Sequence, residues 1–212
     1  LTDLETLPRG LLLWRSLTHF FGGMGVLILC LAILPFIGGA GMQIFRAEMP
    51  GPSKDRLTPR IANTAKLLWG VYALLCVAQT LLLKWGGMSW FDAFCHTFGT
   101  MATGGFSTRT ASVGAYDSVY IEIVVIGFMF LAGTNFALHY RALRGRPLDY
   151  FRDSEFRWYL GLWAGACLLL TLIIYRSVGS VGEAFRAAFF QGTSILTTTG
   201  FVTRDFDQWP DT

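Results

Sequence analysis

Two stretches of this chain carry residue types suited to binding a simple cation, and they are copies of each other. Ala93 to Arg109 reads AFCHTFGTMATGGFSTR, and Ala188 to Arg204 reads AFFQGTSILTTTGFVTR. Laid over each other without a gap, they share Thr103 with Thr198, Gly105 with Gly200, Phe106 with Phe201, Thr108 with Thr203 and Arg109 with Arg204. Thr103, Thr198 and Thr199 offer hydroxyl and carbonyl oxygens, hard donors that match an alkali cation better than a soft transition metal. Gly105 and Gly200 reach φ > 0 without a Cβ clash, as a turn must if successive carbonyls are to line one path. Rings of such carbonyls replace an ion's hydration shell without burying fixed charge. Neither turn holds Asp or Glu, so the chemistry predicted is a carbonyl site of potassium type. One TGGF or TTGF alone would read as an ordinary turn; two in register carry the argument.

Each turn follows an apolar stretch about half as long as a membrane-crossing helix needs. Irregular backbone at membrane depth is tolerated only where protein buries it or it lines a water-filled cavity. Each copy therefore reads as a re-entrant pore helix followed by a filter turn. The short helices would enter from outside and aim the negative ends of their dipoles at the bilayer centre.

The rest of the chain supplies a membrane scaffold. Its 212 residues are 53% hydrophobic and only 15% charged, with a mean hydropathy of +0.47, against roughly 25% charged in soluble domains. The fold class expected is an all-α integral membrane protein of repeated membrane–pore helix–membrane units. Apolar runs place spans at Leu11 to Phe36, 67–83, 119–139 and Trp158 to Tyr175, pore helices at 91–102 and 184–196, and the first filter at 103–107. Gly22-Gly23-Met24-Gly25 would let a neighbouring helix approach the first span closely. The basic residues Arg46, Lys54, Arg56, Arg60 and Lys66, and then Arg141, Arg144, Arg146, Arg152 and Arg157, fall in two loops. The positive-inside rule puts both in the cytoplasm and both turns on the other side.

Equivalent positions lie about 95 residues apart, which makes the chain an array of structural units. Residues 1–60 hold the closing helix of an upstream unit and a cytoplasmic loop, 61–150 a complete second unit, and 151–212 the first span, pore helix and filter of a third. By that grammar the chain is expected to be an internal segment of a longer protein.

Other polar residues carry less. Cys30, Cys76, Cys95 and Cys167 stand singly in apolar segments and read as packing residues. His19, Gln79, His96, Asn135, His139 and Gln191 read as interhelical hydrogen-bonding groups. Glu122 has two readings, a carboxylate that concentrates cations at the pore mouth or an interfacial carboxylate in water. No nucleophile with a base, phosphate loop or paired-carboxylate pattern suggests an enzyme, and the basic residues mark orientation rather than nucleic-acid binding.

The segments FGGMGVLILCLAILP (Phe21 to Pro35), FRAEMPGPSKDRLTPRIANTAK (Phe45 to Lys66), SWFDAF with ATGGFST (Ser89 to Thr108) and TTTGFVTRDFDQWP (Thr197 to Pro210) resemble the membrane subunits of the Trk/Ktr/HKT potassium transporters, most closely the bacterial Trk type. The resemblance implies four such units around one potassium path in a bacterial inner membrane. Carried over by position, Thr103, Gly104 and Gly105 line the path from the second unit and Thr198, Thr199 and Gly200 from the third, with K+ at Thr103, Gly104, Thr198 and Thr199. It also implies a homodimer among membrane lipid, a cytosolic nucleotide-binding ring subunit, no organic cofactor, and uptake driven by the membrane potential with or without coupling to H+ or Na+. Two rival readings stay open: a secondary transporter of another solute with re-entrant hairpins at its binding site, and a scaffold whose turns merely pack.

Overall fold

A computed structural model describes residues 3–25 and 61–204. The first basic loop as far as Arg60, Cys30, the first span beyond Gly25, and Asp205, Asp207 and Asp211 lie outside the described residues. Those described form helices and turns: α1 (Arg9–Phe20), α2 (Ile61–Trp85), α3 (Trp90–Met101), α4 (Val119–Ala132), α5 (Phe136–Leu143), α6 (Asp149–Arg152), α7 (Ser154–Val178) and α8 (Val181–Leu196).

Helix length separates two classes. The helices α2 and α7 have 25 residues each, roughly 38 Å at 1.5 Å per residue, enough to cross a bilayer core. Each contains a stretch apolar enough to do so, Lys66–Trp85 and Ser154–Tyr175. By contrast α3 and α8 have 12 and 16 residues, roughly 18 and 24 Å, too short to cross. Both run directly into the Thr-Gly turns.

The third span departs from expectation. Instead of one helix over 119–139, α4 ends at Ala132 and α5 starts at Phe136, bent by 104°. Asn135 caps the new helix by accepting from the Ala137 N–H at 3.0 Å. The carbonyls left at the end of α4 are taken by side chains, as an apolar setting requires. Phe130 O accepts from Thr134 Oγ1 at 2.9 Å and from Tyr159 OH at 3.2 Å. Leu131 O lies 2.9 Å from His139 Nε2, and His139 Nδ1 meets the Tyr150 hydroxyl. Hydropathy runs straight through Gly133-Thr134-Asn135, so apolarity alone could not reveal the break.

The first span is likewise interrupted: α1 passes into a kinked turn, Phe21–Gly25, with Gly23 at a non-helical ψ of −118°. A Cβ on Gly23 would lie 2.9 Å from Ala102, the C-cap residue of α3. A Cβ on Gly133 would lie 3.2 Å from Thr197, the C-cap residue of α8. The helices α1 and α4 thus each lose their regularity where they touch the C-terminal end of a short helix, α3 and α8 respectively. The glycine-rich patch of the first span does permit close approach, but through Gly23; Gly22 faces open space.

Packing follows the same relation. The short helix α3 is held by α1, α2 and α4, while α8 is held by α7 and α4. One core, built from Leu83, Met88, Ala93, Val113, Ile121, Val125, Met129, Phe190 and Phe201, joins the two units. Cys76, Cys95 and Cys167 are buried free thiols, as expected of packing residues.

Candidate functional site

The two turns repeat bond for bond. In the first, Ala102 N donates to Phe98 O, Thr103 N to Thr100 O, and Gly104 and Gly105 N both reach Gly99 O, at 2.8–3.2 Å. In the second, Thr197 N donates to Thr193 O, Thr198 N to Ile195 O, and Thr199 and Gly200 N both reach Ser194 O, at 2.8–3.3 Å. These N–H groups all turn back to cap the pore helix. Among the described residues no backbone N–H bonds to the carbonyls of Thr103, Gly104, Gly105, Thr198, Thr199 or Gly200.

The dihedrals repeat as well. Gly105 has φ +68° and Gly200 φ +87°, as the glycine argument requires. Sequence reasoning missed that Thr103 (φ +51°) and Thr198 (φ +56°) are also left-handed. A β-branched residue there is a genuine outlier, costing about 1–3 kcal/mol and persisting only where surroundings over-determine it. The position following a helix C-cap ordinarily takes Gly or Asn. Thr takes that position in both copies.

The turns also meet. A Cβ on Gly105 would fall on the Thr199 carbonyl, 2.8 Å from its carbon and 2.9 Å from Gly200 C. The linker between the copies stitches them further: Gly114 N donates to Val202 O at 3.2 Å, and Val202 N to Ser112 Oγ at 3.3 Å. Phe201, fully buried, lies against the His96 ring at 5.8 Å between centroids. All six predicted residues thus sit in two adjoining turns.

The N-terminal segment clamps the first turn from the other side. The Arg15 guanidinium donates to Ser107 O and lies over the Phe106 ring, 5.0 Å from its centroid. The His19 ring packs on Phe106 at 4.5 Å and leaves no room beside Gly104, whose Cβ would lie 2.5 Å from His19 Nδ1. Outside the helices, Thr110 donates to the Glu5 carboxylate from its N–H at 3.1 Å and its hydroxyl at 2.5 Å. The Thr110 hydroxyl bond leads the effects that hold the Glu5 carboxyl below its usual range.

Two expectations about polar residues are corrected. Glu122 neither faces a pore mouth nor stands in water: it is 4% exposed and forms a bidentate pair with Arg186, at 2.6 Å to Nε and 2.8 Å to Nη2. That pair joins α4 to the first turns of α8. His96 bridges no helices; its ring is fully buried and connects Asp92 O to Ser107 Oγ, each at 2.8 Å. Asp92 itself went unnoticed, although Ser89 and Asp92 stand at capping-box spacing. Gln79 is fully buried and its amide finds no partner among the described residues, and Gln191 is buried in α8. Among the described residues no three His, Cys, Asp or Glu side chains are grouped to hold a metal.

Comparison with known proteins follows this geometry. Residues 1–212 match the family model described as TrkH, cation transport protein. The chain is 45% identical over 214 residues to the Trk system potassium uptake protein TrkH of Escherichia coli K12, covering 99% of this chain and 44% of that protein. It is 36% identical over 211 residues to TrkG of the same organism, covering 98% and 44%. The crystal structure of the potassium transporter TrkH from Vibrio parahaemolyticus superposes with a TM-score of 0.81 at 38% identity, covering 98% of this chain and 42% of that one. The chain therefore spans less than half the length of the relatives it matches. At that extent of sequence and structural agreement, the chain belongs to the TrkH family of cation transport proteins.

Proposed function

We propose that the whole protein takes up potassium across a bacterial inner membrane, driven by the membrane potential, and that the two turns form adjoining walls of its selectivity filter. The α3 and α8 helices are re-entrant pore helices, and the carbonyls of Thr103, Gly104, Gly105, Thr198, Thr199 and Gly200 replace water around the ion. The observation that carries this reading is the pair of left-handed turns, identical in dihedral pattern and hydrogen bonding, whose N–H groups all point back to the helix. Carbonyls with no N–H partner in two abutting turns suit a cation of low charge density, which needs many oxygens and no fixed carboxylate. The relatives' names, Trk system potassium uptake proteins, agree with that chemistry.

A homodimer in lipid with a cytosolic nucleotide-binding ring subunit on its inner face completes the proposal. The basic side chains at Arg141, Arg144, Arg146 and Arg152, on or beside the short helices α5 and α6, supply charge on that side. The test is uptake by the whole protein in cells lacking their own potassium uptake systems, with Gly105→Ser and Gly200→Ser at matched membrane expression. Wild type is expected to restore growth at low potassium, and both substitutions to abolish uptake or admit sodium. Normal selective uptake by both variants would overturn the filter assignment.

A further inference from the structure

The geometry points to Asp92 as a positioning residue that sets the ion selectivity of the first turn, acting through Thr108, with His96 and Ser107 as its second tie. The inference rests on the filter reading above and adds what holds one filter wall in shape. Asp92 is in the first turn of α3 and 7% exposed. Its Oδ2 accepts from Ser89 Oγ at 2.8 Å, the N-cap residue whose hydroxyl in turn accepts from Asp92 N at 3.1 Å. That half is ordinary helix capping. Its Oδ1 reaches elsewhere: Thr108 Oγ1, across the turn, donates to it at 2.6 Å, a short charge-assisted bond.

One helical turn further, the direction of every proton follows from the partners. The Asp92 carbonyl can only accept, so His96 Nδ1 donates to it, and in the neutral imidazole Nε2 accepts from the Ser107 hydroxyl. Ser107 Oγ accepts in turn from Arg109 N–H at 3.0 Å. Ser107 and Thr108 are 5% and 4% exposed and His96 is fully buried. Residues 107–109, the limb leaving the filter turn, are thus fastened to the back of the pore helix by two side chains one helical turn apart. With Gly99 O holding the other limb, the carbonyls between have both ends fixed.

The second turn is fastened otherwise. At the positions matching Asp92, His96 and Ser107 it has Ala187, Gln191 and Val202, and none of these ties exists. Ser194 Oγ instead donates to Phe201 O at 2.7 Å, where the first copy has Gly99. Gly99 leaves little space for a side chain, since a Cβ there would lie 3.0 Å from the Phe201 ring and 3.1 Å from Phe106 O. The repeat therefore kept its backbone and exchanged its supports: the first exit limb rests on the buried Asp92 carboxylate, which Arg109 also approaches at 3.7 Å, and the second on the Ser194 hydroxyl and an exposed pair of the matching Arg204 with Glu183 at 3.4 Å.

The test uses the whole protein reconstituted in liposomes, with K+ and Na+ fluxes measured side by side. Asp92→Ala and Thr108→Val are each expected to lower the K+ to Na+ flux ratio by about tenfold or more, the scale of losing one bond to a charged group. The double variant should be no worse than Asp92→Ala, which already lacks the Thr108 bond along with the Ser89 and Arg109 contacts of the carboxylate. Thr108→Ser, which keeps the hydroxyl, should restore most of the ratio. Thr203→Val, at the matching position of the second copy, and Ser89→Ala, which removes the cap and its bond to Oδ2 but leaves the Asp92–Thr108 bond, should stay within about twofold, although Ser89→Ala lowers the temperature of inactivation. Should Asp92→Ala not fold, Thr108→Val carries the test alone. A ratio unchanged in Thr108→Val while Gly105→Ser loses selectivity would overturn the inference and leave the filter reading standing. Equal losses in Ser89→Ala and Asp92→Ala would reduce Asp92 to a cap. Silence of Gly105→Ser as well would remove the filter reading beneath it.

Discussion

Gly104 and Gly105 are adjacent in sequence, yet a methyl group added to each should fail for different reasons, and one failure should be reversible. Gly104 does not adopt positive φ; a Cβ there would lie 2.5 Å from His19 Nδ1 and 2.7 Å from Cγ, against about 3.5 Å for ordinary contact. The His19 ring must therefore retreat by roughly 1 Å, and overpacking of that order costs about 1–3 kcal/mol. At Gly105 the obstacle is the Thr199 backbone carbonyl, and φ is +68°, so a side chain adds about 1–2 kcal/mol of backbone strain to a collision no rotamer relieves. Gly104→Ala should reduce potassium uptake and stability together, and His19→Ala in the same protein should recover much of both. His19→Ala alone should be mild: Nδ1 has no partner to lose among the described residues, leaving only ring contact with Phe106, worth about 0.5–1.5 kcal/mol. Gly105→Ala should abolish selective uptake with or without His19→Ala. Uptake assays and inactivation temperatures of the five proteins form a complete set. Failure of His19→Ala to help Gly104→Ala, or success with Gly105→Ala, would refute the reasoning.

Truncating Arg186 should destabilise strongly, by about 3 kcal/mol or more, since it strands the buried Glu122 carboxylate, whereas Glu122→Leu should cost less, because Arg186 keeps 28% exposure and a second carboxylate, Asp117, at 3.4 Å. The double variant Glu122→Leu with Arg186→Met should regain most of the lost inactivation temperature. Gly23→Ala should cost about 1–3 kcal/mol by crowding Ala102, while Gly22→Ala, with nothing within 4 Å, should leave the inactivation temperature unchanged. The Glu5 contact with Thr110 should be pH-sensitive. Because its carboxyl is held below the usual range in the folded protein, its stabilisation is present above the ordinary value of about 4.3 and lost as pH falls through the depressed value. Amide exchange at Thr110, corrected for intrinsic rate, should quicken only in that acid range, and Glu5→Gln should abolish the dependence.

What the sequence disclosed was whatever is local or periodic. Half-length helices followed by Thr-Gly turns need only counting, and positive φ at Gly105 and Gly200 follows from residue type. The spans are compositional, and α2 and α7 overrun the expected 67–83 and Trp158 to Tyr175, α2 reaching Trp85 and α7 starting at Ser154. What escaped depends on partners far away in sequence. Glu122 and Arg186 are 64 residues apart, and neither signals the other. The break in the third span is stabilised by Thr134, His139 and Tyr159 claiming carbonyls, and only Asn135 hinted at a helix start. Thr103 and Thr198 at positive φ run against residue preference, so no propensity could have found them.

The repeat has a further level that neither copy displays alone. The helix α1 stands to α3 as α4 stands to α8: each precedes a pore helix, lies against it, and loses regular structure at a glycine seated on its C-cap residue, Gly23 on Ala102 and Gly133 on Thr197. Because the residue after each C-cap is the strained Thr103 or Thr198, the closing helix of one unit presses on the root of the next unit's turn. The turns also touch each other at Gly105 and Thr199, and Ser112 and Gly114 bind the limb of the second to the linker after the first. Strain of a few kcal/mol at two threonines is therefore held by contacts that run from one unit into the next. Each turn taken alone would lack the contacts that its neighbour supplies.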